Sequence, residues 1–156
     1  AVTCHDLAHH RNDVERVKVI GLLHQIIRDM VELLSGRSPR LTPAEQYWDY
    51  IHVRDVASAA IAAMEKRAHG FFNLGSGHAR KLSDIVRLLR DQVDPSLPLR
   101  FGEVPYRPDQ VMHLEADIAK LKAATGWEPL VTLSDGIPEI VSWLRAKLPV
   151  VGEGNE

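Results

Sequence analysis

Residues 47–63, YWDYIHVRDVASAAIAA, decide the fold of this chain. The first part, residues 47–53, is aromatic and β-branched and therefore predicts a β-strand. Residues 56–66 are rich in alanine and predict a buried helix, whose small side chains permit close packing against a sheet. Asp55 is placed to cap the first turn of this helix. A strand followed at once by a buried helix indicates α/β architecture.

Helices and strands alternate on both sides of this stretch. Upstream, apolar residues recur at helical spacing over 13–34, with Asn12 as the N-cap and Ser35-Gly36 as the stop, and a connection follows over 37–45. Downstream, the pattern predicts strands over 70–74, 97–101 and 111–114, and helices over 83–92, 117–126 and 134–148. A complete doubly wound sheet has about five or six strands, which is more than this chain offers. The shortfall predicts that a partner segment is missing.

The ends of the chain differ from its middle. Residues 1–12 are irregular and residues 149–156 predict a flexible tail, which leaves 13–148 as the folded portion. The absence of an initiating Met predicts a processed chain or a piece of a longer one. Near the C-terminus, Gly126 is expected to stop a helix, and the last helix is expected to turn four apolar residues inward: Ile137, Ile140, Val141 and Leu144.

Composition excludes several classes of function. The 156 residues carry a net charge of −2 with no long basic run, so nucleic acid is not an expected partner. No apolar stretch is long enough to span a bilayer. The single cysteine, Cys4, rules out a disulfide within the chain and suits a reducing, cytoplasmic location.

Two motifs suggest chemistry that their surroundings do not support. Gly75-Ser76-Gly77 lies between a predicted strand and a helix, where a phosphate-binding loop would lie, but Arg80 takes the place of the third glycine of the dinucleotide fingerprint. A tight turn is therefore favoured over a dinucleotide site. An N-terminal cluster has metal-binding residue types but no downstream residues to complete a ligand set, so no metal site is predicted: Cys4, His5, His9 and His10.

The proline-containing loop over 105–110 is more informative. Arg107 lies between an aromatic residue and a proline, which holds its guanidinium fork in place for bidentate binding of phosphate. Gln110 is suited to hydrogen-bond a ribose hydroxyl or a base edge. A surface salt bridge from Arg107 to Glu103 or Asp109 explains the same residues, and both interpretations stay open.

Four segments together resemble the C-terminal half of extended short-chain dehydrogenase/reductases that act on nucleotide sugars, namely the NAD-dependent epimerases, 4,6-dehydratases and 4-ketoreductases. The order and spacing of the segments make the match specific. They are LTPAEQYWDYIHVRDVA (41–57), FNLGSG (72–77), YRPDQV running into Ala116-Asp117 (106–117), and the residues from Lys120-Leu121-Lys122 through GWEP to LSDGI (120–137). The resemblance implies a partial Rossmann-like C-terminal portion with a small α/β substrate-binding subdomain.

The resemblance also assigns five substrate-binding residues. Arg107 matches the family's phosphate-binding arginine, Gln110 matches an acidic residue, Tyr50 matches a substrate-contacting aromatic residue, and Leu82 matches an apolar contact to the nucleotide. Trp48 stands where the family has a second arginine. Trp cannot neutralise phosphate, so Trp48 either stacks on a base or packs, and Arg107 is left as the main phosphate ligand.

The catalytic parts of the family are absent from the sequence. The family uses NAD or NADP, held by a glycine-rich turn, and a Tyr-x-x-x-Lys pair for acid/base chemistry. The residues four positions after the three tyrosines are Ile51, Arg54 and Gln110. No catalytic or cofactor-binding residue is therefore assigned, and the chain alone is expected to bind no cofactor.

The function implied is binding of a nucleotide-diphosphate sugar, inactive without an N-terminal cofactor half. Homo-oligomerisation stays open. The alternative is a non-catalytic module that binds a nucleotide or a protein partner through the surface that such a half would cover.

Overall fold

A computed structural model of the chain describes residues 28–147. The described residues form two compact units that alternate along the chain. Unit 1 comprises Glu45–Leu82 and Asp109–Leu133, and unit 2 comprises 28–44, Ser83–Pro108 and 134–147. The predictions for residues 1–27 and 148–156, including the Asn12 cap and the histidine-rich cluster, lie outside the described residues.

Helices and strands alternate along the described chain as far as the fourth helix, and the fifth helix follows without a strand between them. The helices are α1 (described over 28–34), α2 (Val53–Glu65), α3 (Leu82–Val93), α4 (Ala119–Thr125) and α5 (Leu133–Lys147). The strands are β1 (Tyr47–Asp49), β2 (Ala79–Lys81) and β3 (His113–Leu114).

Unit 1 contains a three-stranded sheet of order β2-β1-β3. The central strand β1 pairs antiparallel with β2 and parallel with β3, which puts Trp48 opposite Arg80 and Leu114. The sequence did not predict β2, because Ala-Arg-Lys has neither β-branched nor aromatic residues.

The predicted strand over 47–53 is shorter than expected, because a side-chain cap starts α2 early. The Nδ1 atom of His52 accepts a hydrogen bond from the backbone N–H of Arg54, so α2 begins at Val53 rather than Val56. Asp55 therefore does not cap the helix as predicted. Its buried carboxylate accepts hydrogen bonds from the backbone N–H groups of residues 130 and 131, both at 3.0 Å, and so fixes the segment after α4.

One face of α2 packs as a buried helix should. Ala59 forms a small core with Leu121 of α4 and Trp127, and the Trp127 indole N–H donates to the Ser58 hydroxyl at 2.8 Å. The predicted stop of α4 is confirmed, since Gly126 adopts the left-handed conformation with φ 74° and its N–H bonds back to Lys122.

Two predicted features of the helices in unit 2 are confirmed. The helix α1 ends after residue 34, where the Ser35 hydroxyl and backbone N–H both bond to the Val31 carbonyl. In α5, Ile137, Val141 and Leu144 are buried as predicted. Ile140 is 44% exposed, contrary to the prediction, because it lies off the face that those three residues share.

Two predicted strands lack the partners that a strand needs. Residues 97–101 form only an isolated parallel bridge, between Arg40 and Arg100. Residues 70–74 form no strand, since no other segment of the described chain offers them a ladder. Side chains bond to this segment instead: the Lys120 ammonium donates to the Phe71 carbonyl at 2.8 Å.

Candidate functional site

Arg107 is exposed in unit 2 with its guanidinium available. Glu103, which the sequence offers as a salt-bridge partner, is instead 3.2 Å from Arg40 Nε and 3.7 Å from Arg100 Nη1. Within residues 28–147, Arg107 forms neither an ion pair nor a hydrogen bond. The salt bridge between Arg107 and Glu103, one of the predicted alternatives, is therefore not formed. The guanidinium fork is free to bind an anion.

Trp48 and Gln110 meet at one backbone carbonyl in unit 1. The Trp48 indole N–H donates to the Val111 carbonyl at 3.0 Å, and the Gln110 side-chain amide reaches the same oxygen at 3.4 Å. Trp48 is only 4% exposed, so its ring packs inside unit 1. Of the two roles open for Trp48, packing describes the observed position, and stacking on a base would need the ring to become accessible.

Tyr50 follows β1 and has a buried hydroxyl. Within the described part of the chain that hydroxyl has no hydrogen-bond partner. Burial removes the phenolate from water and raises the pKa of Tyr50 above its ordinary value, so the side chain stays protonated at physiological pH. A buried O–H without a partner costs about 1–3 kcal/mol, and it can donate to any acceptor that comes within reach.

Leu82 lies at the junction of β2 and α3. It is buried, and its backbone N–H donates to the Gln46 carbonyl at 2.9 Å. The structure thus places Trp48, Gln110 and Leu82 around β1 and its neighbours in unit 1, whereas Arg107 belongs to unit 2. The substrate-binding roles of all five residues stay predictions.

The Gly75-Ser76-Gly77 turn is held by a residue that the sequence did not single out. The Asp49 carboxylate accepts four hydrogen bonds: from Ser76 N–H at 2.8 Å, Ser76 Oγ at 2.5 Å, Gly77 N–H at 2.9 Å and Ala116 N–H at 3.2 Å. The partners of Asp49 are 27 to 67 residues away, so sequence alone could not pair them.

Both glycines of this turn are required by its geometry. A Cβ on Gly75 would lie 2.5 Å from the Ala116 Cβ and 2.5 Å from an Asp49 carboxylate oxygen. Gly77 has φ +73°, a conformation that favours glycine. The turn is therefore tight for steric reasons, as the sequence favoured.

The same turn does not fit the phosphates of a dinucleotide. A phosphate-binding loop presents free backbone N–H groups to the ligand, but the amides of Ser76 and Gly77 already donate to Asp49. The turn at 75–77 therefore offers no free amides of Ser76 and Gly77 to the phosphates of NAD or NADP.

Each unit also has an open cavity. The cavity in unit 2 has a volume of about 810 Å³ and is lined by four arginines and three carboxylates: Arg28, Arg37, Arg40, Arg100, Asp29, Glu32 and Glu103. The cavity in unit 1 has a volume of about 570 Å³ and includes Ser76, His78, His113 and Lys122. Between residues 28 and 147 there is no group of three metal-ligating side chains, and no helix long and apolar enough to cross a membrane.

Known proteins resemble this chain in sequence. No family model matches it. It is 29% identical to UDP-glucuronic acid decarboxylase 1 of Arabidopsis thaliana over 70% of this chain and 25% of the relative. It is 31% identical to the dTDP-L-rhamnose 4-epimerase of Burkholderia thailandensis over 64% of this chain and 28% of that protein.

A solved structure gives the same result for the fold. The UDP-glucose 4-epimerase of Thermotoga maritima, determined with UDP-glucose, superposes with a TM-score of 0.67 at 27% identity, over 77% of this chain and 38% of that one. The chain spans between a quarter and two fifths of the lengths of these proteins. In sequence and in fold, it corresponds to the C-terminal portion of the NAD-dependent epimerases and dehydratases of the extended short-chain dehydrogenase/reductase family.

Proposed function

We propose that this chain is the nucleotide-sugar-binding portion of an NAD(P)-dependent epimerase, 4,6-dehydratase or 4-ketoreductase, and that it is inactive alone. The exposed guanidinium of Arg107, which has no partner among residues 28–147, carries the proposal. Glu103, one of the two carboxylates that the sequence offers to neutralise it, is bound to Arg40 and Arg100. The likeness to an epimerase whose structure contains UDP-glucose supports the same class of ligand.

The ligand's diphosphate is assigned to Arg107. Its planar guanidinium makes two parallel hydrogen bonds to phosphate oxygens, an arrangement that lysine cannot reproduce. Trp48 replaces the arginine that the family resemblance leads one to expect, so a single guanidinium serves both phosphates. We expect weak binding as a consequence.

The ligand's polar edges are assigned to two residues of unit 1. The Tyr50 hydroxyl is a protonated donor that lacks a partner, and a sugar or ribose oxygen would satisfy it. Gln110 makes only a long 3.4 Å contact to the Val111 carbonyl, which a ribose hydroxyl or base edge can replace. Trp48 fixes that carbonyl from the buried side, and Leu82 supplies an apolar contact.

The cofactor and the reaction are assigned to a cofactor-binding half outside this chain. When bound there, NAD(P) would supply hydride transfer. The sequence has no Tyr-x-x-x-Lys pair, and the amides of the turn at 75–77 already donate to Asp49. NADH added to this chain with a nucleotide 4-keto sugar should therefore remain unoxidised, and measurable oxidation would refute the claim of missing catalytic parts.

A ligand series tests the phosphate assignment. Uridine, UDP and UDP-glucose, and then the dTDP, GDP and CDP sugars, are titrated into the ¹⁵N-labelled chain while amide shifts near Arg107 are followed. UDP should bind more tightly than uridine in the native chain. Arg107→Ala should abolish that difference, and Arg107→Lys should restore part of it, because the charge returns without the bidentate geometry.

Arg67→Ala is the matched control, since it removes one exposed positive charge in unit 1. It should leave the advantage of UDP over uridine unchanged. If Arg107→Ala binds UDP with the native affinity, the assignment of the phosphates to Arg107 is wrong.

A further inference from the structure

The cavity in unit 2 brings positive charges together at one place. Four arginines line it against three carboxylates, which leaves an excess of one positive charge. The other described residues of the lining are Ser38, Val104 and Pro105. Arg107 is not among the lining residues, so these charges are additional to the guanidinium that the proposed function uses.

Two of the arginines lie side by side and share one carboxylate. Arg40 and Arg100 belong to neighbouring backbone segments that meet in a parallel bridge. Arg40 Nε is 3.2 Å and Arg100 Nη1 is 3.7 Å from the same oxygen of Glu103, Oε2. Arg100 Nη2 also donates to the Ser38 carbonyl at 2.8 Å, which holds its guanidinium in place. One carboxylate cannot neutralise two guanidiniums, so a further anion would be attracted to this pair.

Arg37 adds a third guanidinium to the same cavity. It follows the turn that ends α1, and its backbone N–H donates to the Glu32 carbonyl at 2.9 Å. Its side chain is exposed and has no ion pair or hydrogen bond with any other described residue, the Glu32 carboxylate included. Arg28 and Asp29, which complete the charged lining, are already partnered. Arg37 is therefore the guanidinium of this cavity that is most available to an anion.

The size and the lining of the cavity indicate what else the ligand carries. A volume of about 810 Å³ is within the range of small-molecule sites and exceeds what a free phosphate ion fills. The described lining contains no aromatic ring, so a nucleobase would find no surface on which to stack. Its only apolar residues are Val104 and Pro105, whereas its polar and charged groups can hydrogen-bond hydroxyls. A small, hydroxyl-rich anion fits this lining best.

We propose that the cavity in unit 2 binds a sugar phosphate. The phosphate lies against Arg37, Arg40 and Arg100, because planar guanidinium forks suit phosphate oxygens. The sugar lies toward Glu32, whose carboxylate accepts hydrogen bonds from its hydroxyls. This site goes beyond the proposed function, since it needs neither Arg107 nor a nucleotide.

Titration of the ¹⁵N-labelled full chain with glucose 1-phosphate tests the site. Amide shifts over 37–41 and 100–104 should respond to glucose 1-phosphate, less to inorganic phosphate and not to glucose. Arg37→Ala should weaken binding of glucose 1-phosphate about tenfold, because charged hydrogen bonds are lost. Arg37→Lys should recover part of that loss. The proposal is wrong if the native chain shows no response, or if Arg37→Ala binds glucose 1-phosphate with the native affinity.

Lys147→Ala is the matched control, because Lys147 is an exposed cation of unit 2 outside the lining. It should leave binding unchanged. A loss equal to that of Arg37→Ala would show that the chain attracts phosphate through its overall charge and not through this cavity.

Glu103→Gln tests the shared carboxylate with a change of opposite sign. The amide keeps an oxygen acceptor for Arg40 and Arg100 but removes the negative charge that competes with the ligand. Binding of glucose 1-phosphate should therefore tighten about threefold. Weaker binding by this variant would contradict a phosphate position at these two arginines.

Glu32→Ala separates the sugar from its phosphate. It should weaken binding of glucose 1-phosphate about threefold, because an acceptor for the hydroxyls is lost. It should not weaken binding of inorganic phosphate, since a negative charge is removed from the lining. Tighter binding of both ligands would show that the site takes phosphate without its sugar. Tighter binding to vesicles that contain phosphatidylinositol phosphate, lost in Arg37→Ala, would assign the site to a lipid headgroup and overturn the free sugar phosphate.

The site and the proposed function fail in different ways. Binding of glucose 1-phosphate should persist in Arg107→Ala, and the advantage of UDP over uridine should persist in Arg37→Ala. If Arg107→Ala abolishes both responses, glucose 1-phosphate binds at Arg107 and the further site is wrong. If glucose 1-phosphate binds as proposed but UDP has no advantage over uridine in the native chain, only the assignment to Arg107 is wrong.

Discussion

The turn at 75–77 and the loop at 105–110 are both polar loops next to regular structure, but they differ in hydrogen bonding. In the turn, Asp49 accepts four hydrogen bonds, and a side chain on Gly75 would have no room. In the loop, Arg107 is exposed and has no partner among residues 28–147. Saturated polar groups hold a structure together, and unsatisfied ones are available to a ligand.

This contrast gives the physical reason for favouring a tight turn over a dinucleotide site at 75–77. Gly-Ser-Gly resembles a phosphate loop, yet its backbone donors are already used by Asp49. The proline-containing loop has no named phosphate motif, yet its arginine is free to bind an anion. Hydrogen-bond saturation thus separates the two loops better than glycine content does.

Removing the Asp49 carboxylate should produce the largest effect. Asp49→Ala leaves the N–H groups of Ser76, Gly77 and Ala116 without their acceptor, and the free energy of unfolding should fall by about 3 kcal/mol. Urea denaturation measures the loss. Asp49→Asn keeps one oxygen acceptor and should lose about half as much. An Asp49→Ala chain as stable as the native one would show that the turn is not held by this carboxylate.

Adding a methyl group to the turn should have the next largest effect. Gly75→Ala puts a Cβ 2.5 Å from the Ala116 Cβ and from Asp49 Oδ2, and overpacking of this kind costs about 2 kcal/mol. In a double-mutant cycle, Ala116→Gly should recover part of that loss, because it removes one of the two clashes. Strict additivity of the two substitutions would argue against the close approach.

Tyr50 is an exception to this contrast, because its hydroxyl is buried and yet has no hydrogen-bond partner among the described residues. Tyr50→Phe removes a hydroxyl that lacks a partner and should stabilise the chain by about 1 kcal/mol in urea denaturation. The same change should weaken binding of UDP-glucose if the hydroxyl donates to the ligand. A destabilised Tyr50→Phe chain would reveal a partner for that hydroxyl.

The pH dependence of stability provides a separate measurement of Tyr50. Burial raises its pKa above the ordinary value of 10.0, so the unfolded chain loses this proton at a lower pH than the folded chain does. Ionisation of Tyr50 therefore leaves the stability of the native chain unchanged below pH 10.0 and lowers it as the pH rises above that value. The difference in stability between the native chain and Tyr50→Phe should grow above that pH and stay constant below it.

Local features of the fold were predictable because their causes are local. Gly126 ends α4 because its left-handed conformation suits glycine, and three residues of α5 are buried as helical spacing requires. The start of α2 was misplaced by three residues, because the cap is the side chain of His52 and not that of Asp55. Caps depend on one rotamer, which periodicity does not report.

Features set by partners were not predictable. Residues 70–74 have the sequence of a strand but lack a ladder, while Ala79–Lys81 lacks that sequence and forms one with β1. Both outcomes depend on pairing between strands that are distant in sequence. The site shows the same limit. The proposed role of Arg107 depends on Glu103 being engaged by Arg40 and Arg100, and the contact of Glu103 with Arg40 joins residues 63 positions apart.

Arg107→Ala should have the smallest effect on stability and thereby sharpen the contrast with Asp49. The guanidinium contacts no partner among the described residues, so the free energy of unfolding should change by less than about 0.5 kcal/mol. With UDP-glucose present, the native chain should gain stability through binding and Arg107→Ala should gain less. A polar residue whose removal affects only the ligand-bound protein is a binding residue. A loss of stability in the absence of ligand would instead make Arg107 a structural residue like Asp49.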